Sequence, residues 1–82
     1  MSTIRNQNQF LNTLYKQAMT CKPHQADKYV EMVVGYILNH NSYNLDILGI
    51  INRLFNRLEA TGGDKGELIV ARILQVASER HQ

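Results

Sequence analysis

The stretch from Asn44 to Gly63 constrains the fold most, because one amphipathic helix is legible in it from cap to stop. Asn44 is the expected N-cap, its side-chain oxygen taking a backbone N–H that the first turn leaves unpaired, and Asp46 adds negative charge to that turn. Ile47, Ile50, Ile51, Leu54, Phe55 and Leu58 recur at the spacing of one helix face, with Leu48 at its edge. Gly62 and Gly63 stop the helix, since glycine reaches the left-handed conformation of a C-terminal cap without a Cβ clash. The opposite face carries Gly49, Asn52, Arg53, Asn56, Arg57 and Ala60, and offers no catalytic group. Such an element buries one side against other helices. It defines a packing unit and no chemistry.

Three further segments follow the same logic. Over residues 5–20, Phe10, Leu11, Leu14, Tyr15, Ala18 and Met19 fall at helical spacing, predicting a short amphipathic N-terminal helix. Pro23 breaks it, because proline disfavours helix at the residue before it and opens turns or first helical positions. From about Gln25 to Asn39 a second helix places Val30, Val33, Val34, Ile37 and Leu38 on one side, flanked by Tyr29 and Tyr36. Residues 40–43 form the loop into the central helix. After the glycines, Asp64 is the expected N-cap of a last helix, with Glu67 as partner in a variant capping box. Leu68, Ile69, Ile73, Leu74, Val76 and Ala77 give that helix its apolar stripe to about Glu79, while Arg72, Gln75, Glu79 and Arg80 point outward. No strand-like alternation, internal repeat or long heptad run appears. The fold class is all-α: one domain over residues 1–82, with a three-helix core over 25–80 and residues 1–22 as an N-terminal helix able to move. Short links predict that consecutive helices lie side by side and antiparallel.

Length bounds what holds such a chain together. A domain of 82 residues buries only about 60–65% of its unfolded surface, and its balance of burial against chain entropy is thin. One cysteine excludes an internal disulfide, and no zinc-type spacing is present. Association with a second copy or a partner is the remaining remedy. Nine Lys and Arg against seven Asp and Glu give a net charge of +2, too small to argue for nucleic acid by itself. Arg5, Lys16 and Lys22 all precede Asp27, the first acid, so the N-terminal segment is locally basic and also rich in Asn and Gln. No segment approaches the ~20 apolar residues of a membrane span, and no secretory signal opens the chain. The expectation is a cytoplasmic protein without membrane insertion.

The hydrophobic skeleton of residues 30–77 carries a resemblance. Val33-Val34-Gly35-Tyr36-Ile37-Leu38 forms a first core helix, and a polar loop follows. Then come Leu45, Ile50-Ile51, Leu54-Phe55 and Leu58-Glu59, a polar turn, and Leu68-Ile69-Val70 with Ile73-Leu74 and Val76. This series resembles the YmgB/AriR family of small enterobacterial biofilm and acid-stress regulators. The chain departs from the family in its mixed Gln25-Ala26-Asp27-Lys28-Tyr29 segment, where members carry an acidic run, and in lacking a basic residue at Asp46-Ile47-Leu48. The resemblance implies a small bacterial helical homodimer that acts as a connector in signalling, with weak DNA binding as a proposed property. It brings no catalytic residue and no cofactor.

Few residues stand out as candidate sites. Asn52, Arg53, Asn56 and Arg57 form paired stripes one turn apart. Arginine grips phosphate or carboxylate bidentately and asparagine reads adenine, so a partner-facing helix suits them; an ordinary solvated face is the commoner setting for such residues. Val30, Val33, Val34, Ile37, Ile51, Leu54, Leu58, Ile69 and Ile73 are the expected core or dimer face. Cys21 and His24 have the spacing of half a metal site, but only His40 and His81 could join them, so no metal or cofactor is expected. Gly35 sits inside a helix where alanine would be about 1 kcal/mol better, which is either tolerance or the mark of a close helix contact. The expected function is a non-enzymatic regulatory protein acting through protein–protein contacts, with DNA as a second candidate partner. The alternative is a bacteriocin- or phage-type immunity or adaptor protein that sequesters one target.

Overall fold

The computed structural model describes residues 2–42 and 46–81. They form four α-helices, α1 (Ser2–Thr20), α2 (Pro23–Leu38), α3 (Ile47–Thr61) and α4 (Gly63–His81), with one 3-10 turn at His40–Ser42. Among the described residues there is no strand, and no helix is long and apolar enough to cross a membrane.

The helix boundaries show local chemistry at work, and several move from their expected places. Pro23 opens α2 instead of preceding it by two residues: Lys22 is extended, and proline at the first helical position loses only an amide that had no partner. The Lys22 N–H donates to Gln25 Oε1 at 3.0 Å, half of a capping box. Asp46, not Asn44, caps α3, its Oδ1 accepting the Gly49 N–H at 3.1 Å. Asn44 lies outside the described residues. At the α3–α4 junction the two glycines divide the work. Gly62 keeps right-handed geometry (φ −85°) and its N–H donates to the Leu58 carbonyl, while Gly63 takes the left-handed φ of 64°. Because α4 already begins at Gly63, Asp64 sits in its first turn and is not its cap.

The largest difference from expectation is in the neighbours. The chain α1–α2 link is two residues long, yet these helices touch little; α1 packs mainly on α3, and α2 on α4, with α3–α4 also in broad contact. Side-chain bonds fix the sense. Gln7, Asn12 and Tyr15 meet Arg53, Arg57 and Thr61 in rising order, so α1 and α3 run parallel. Short links demand only that helices turn back, not that the turned helix be the best apolar match. The α1 face made by Leu14 and Ala18 is buried in a core shared by all four helices.

The core joins all four helices. Leu14 and Ala18 of α1 are buried with Tyr29, Val30, Val33 and Val34 of α2. Ile47, Ile50, Ile51, Leu54 and Leu58 of α3, and Ile69, Val70 and Ile73 of α4, complete it. α1 is therefore part of the core and not an appendage. The residues expected as a core or dimer face are all inside the single chain except Ile37, which is half-buried. In α4 the stripe is rotated: Val70 is buried, whereas Leu68 and Leu74 are 70% and 51% exposed. Tyr29, expected at a flank, lies in the core because its hydroxyl donates to the Leu14 carbonyl at 2.8 Å, giving its polar tip a buried partner. Burial pushes its phenol pKa well above the usual tyrosine range. Gly35 meets nothing within 4 Å of a built Cβ, so no close helix contact is present there among the described residues.

Candidate partner-binding face

The four candidate residues on α3 do not act as one surface. Asn52 and Asn56 point to solvent, and Glu59, one turn past Asn56, shares their stripe. Arg53 and Arg57 lie on the flank that meets α1. Arg53 Nη2 donates to Gln7 Oε1 at 3.4 Å, and Arg57 Nη1 donates to Asn12 Oδ1 at 2.7 Å. The Arg57 guanidinium also lies over the Tyr15 ring, 4.4 Å from its centroid, in a cation–π contact. Tyr15 is anchored in turn by a 2.9 Å hydrogen bond between its hydroxyl and that of Thr61. One turn further along the same seam, Lys65 Nζ donates to the carbonyls of Met19 (3.2 Å) and Cys21 (2.6 Å), closing the C-terminal end of α1.

The other side of the bundle is different in kind. Between α2 and α4, Arg72 pairs with Asp27 at 3.0 Å, and Arg80 pairs with Glu31. Among the described residues, Arg53, Arg57, Lys65, Arg72 and Arg80 are thus engaged within the chain. The engagement separates them into two classes. Arg72 and Arg80 are paired with carboxylates, while Arg53 and Arg57 are held by neutral amides and a ring, and Lys65 by backbone carbonyls, all three keeping their charge. Lys16, exposed one turn below Asn12 on α1, has no ionic partner among the described residues either.

Two other features complete the surface. Leu38 (38% exposed), Leu48 (44%) and Leu74 join Ile37, His40, Ala77 and Ser78 around an open apolar groove of about 520 Å³ between α2, α3 and α4. A shallower cavity of about 300 Å³ lies beside Cys21, Lys28 and Tyr29. The Cys21 thiol itself donates to the Ala18 carbonyl at 3.4 Å. His24 is exposed, and no group of three or more His, Cys, Asp or Glu side chains comes together among the described residues.

Sequence periodicity located the arginine stripe but missed Gln7, Asn12 and Tyr15 as its partners. Those lie 42 to 46 positions away, and the only signal for them is that Asn12 and Tyr15 sit beside Leu11 and Leu14 at the edge of the α1 stripe. Comparison with protein-family models, with curated proteins and with solved structures finds no match to this chain.

Proposed function

We propose that this protein is a non-enzymatic helical binding protein, of the regulatory or connector kind, whose α1–α3 face receives an anionic partner. The observation that carries the reading is the contrast between the two arginine pairs. Arg72 and Arg80 have carboxylates of their own, and Arg53 and Arg57 have none. A guanidinium that keeps its charge and most of its five donors is available to a carboxylate or phosphate from outside. The hydrophobic resemblance to small bacterial signalling regulators points the same way, towards action by contact.

The homodimer implied by that resemblance needs a surface other than the core stripes, since those are consumed inside one chain. Among the described residues, Leu38, Leu48, Leu68 and Leu74 are the large apolar side chains left exposed for it. Light scattering across a concentration series tests the pairing: a mass that stays at one chain throughout removes it. For the anionic face, fluorescence anisotropy with duplex DNA and with a labelled polyglutamate at two salt concentrations is the direct test. Binding of either that weakens with salt and drops in the Arg53→Ala/Arg57→Ala double variant supports the face. Binding untouched by the double variant, or none at low salt, refutes it.

A further inference from the structure

The α3 arginines do not stand alone, and their surroundings narrow the partner. Arg53 and Arg57 are one helical turn apart, about 6 Å along the axis. A free arginine side chain loses considerable rotamer entropy when it binds. Here part of that loss is already taken, because Gln7 and Asn12 hold one terminal nitrogen each and Tyr15 supports the plane of the Arg57 guanidinium. Each contact uses one of five N–H donors, so it orients the guanidinium without blocking it. Tyr15 is itself fixed by Thr61, and its helix by the buried Leu14 and Ala18.

The number of cations decides between partners. Lys16, Arg53, Arg57 and, at the end of the seam, Lys65 are the cations without a carboxylate partner on this face among the described residues. Four phosphate contacts give a salt slope of only about 3.6, below proteins that hold duplex DNA through 6–10 of them. A thin, ordered pair of guanidiniums is poorly matched to a long phosphate backbone and well matched to two carboxylates one helical turn apart. Resting on the proposed anionic face, we infer that α1 and α3 form one composite site for an acidic helical segment of a protein partner, with Arg53 and Arg57 gripping its carboxylates and Asn12 and Tyr15 as positioning residues. Lys16 lies one turn below Asn12 to take a third acid on the segment.

The test uses the full chain and two labelled alanine-rich helical peptides of equal charge, one with glutamates one turn apart and an isomer with glutamates two residues apart, on different faces. Duplex DNA is the third probe, and thermal melts check that each variant folds. The site predicts tighter binding of the one-turn peptide than of its isomer. Asn12→Ala, which frees the guanidinium but keeps the charge, weakens it about two- to tenfold. Asn12→Asp weakens it further although it holds Arg57 more firmly, because it supplies the carboxylate in place of the partner. A purely structural Asn12 predicts the reverse order for the two substitutions. Equal binding of the isomers, or an Asn12→Ala protein that binds as well as the parent, overturns the composite site and leaves the anionic face standing. DNA bound more tightly than either peptide, with a salt slope steeper than about 4, overturns the carboxylate partner alone. No binding of any probe at low salt removes both.

Discussion

Two glycine-to-alanine substitutions with opposite expected signs test the packing directly. A Cβ built on Gly66 would stand 2.3 Å from the Leu58 carbonyl oxygen and 3.0 Å from its carbon, both backbone atoms of the neighbouring helix. To bring the first contact out even to 3.0 Å, the start of α4 must move from the end of α3 by about 0.7 Å. No side-chain rotation can supply that shift. The same carbonyl accepts the Gly62 N–H at 2.8 Å, so the movement also strains the turn that joins the helices. Overpacking against backbone, which no side-chain rotation relieves, takes the upper part of the usual range, about 2–3 kcal/mol, and the better helix propensity of alanine returns about 1 kcal/mol. The net expectation is a loss of about 1–2 kcal/mol, or roughly 5–15 °C in Tm for a domain of this size. Gly35→Ala meets no atom within 4 Å and keeps the propensity gain, so it should stabilise by about 0.5–1 kcal/mol.

Circular dichroism at thermal and urea unfolding measures both changes, with the urea slope confirming that the unfolded reference is shared. A Gly66→Ala protein as stable as the parent, at equal slope, would show that α3 and α4 do not approach as closely as the backbone places them. A Gly35→Ala protein that loses more than about 1 kcal/mol would show that a further element covers that position.

Three other changes follow from single contacts. Tyr29→Phe should cost about 0.5–1.5 kcal/mol at neutral pH, because one buried hydrogen bond is lost while the Leu14 carbonyl still faces the Ala18 amide within α1. Its pH dependence has a definite sign: the folded phenol titrates above the unfolded value of 10.0, so stability is intact below that pH and falls above it as the unfolded state ionises first, by up to about 1.4 kcal/mol per unit. Urea titrations of parent and Tyr29→Phe should therefore converge as the pH is raised past 10.0, and parallel curves would remove the buried phenol from the argument. Asp46→Ala removes the α3 cap and should lower stability by about 1 kcal/mol, with Asp46→Asn recovering most of it. Lys65→Met leaves the last carbonyls of α1 without their donor; a loss of about 0.3–1 kcal/mol is expected, with faster hydrogen exchange in the final turn of α1 and unchanged exchange in α2.

How much of this was legible depends on the distance over which each feature is decided. The apolar faces of α2 and α3 were readable because a 3.6-residue period is written within each helix, and Val30, Val33, Val34, Ile51, Leu54 and Leu58 are buried where that period puts them. Caps are decided over three or four residues but by competition. Asn44 and Asp46 are both good caps, and composition cannot rank them; the structure pairs Asp46 with the Gly49 amide. Leu68 and Leu74 looked like core because α4 has apolar residues on more than one side, and only the position of its neighbours decides which side is covered.

The charges show the limit most clearly. Arg53, Arg57, Arg72 and Arg80 are indistinguishable as residues on amphipathic helices, yet two meet acids and two meet amides. Their partners stand 45 to 49 positions away in the chain, so the pairing is set by which helix lies beside which. Leu14 and Ala18 are buried in the core that all four helices share, and α1 lies along α3 more than along the adjacent α2. With α1 beside α3, the acids Asp27 and Glu31 on α2 fall to α4, and α1, which carries no acid over residues 2–20, falls to Arg53 and Arg57. The unneutralised arginine pair is thus a consequence of the helix arrangement and not of charge composition.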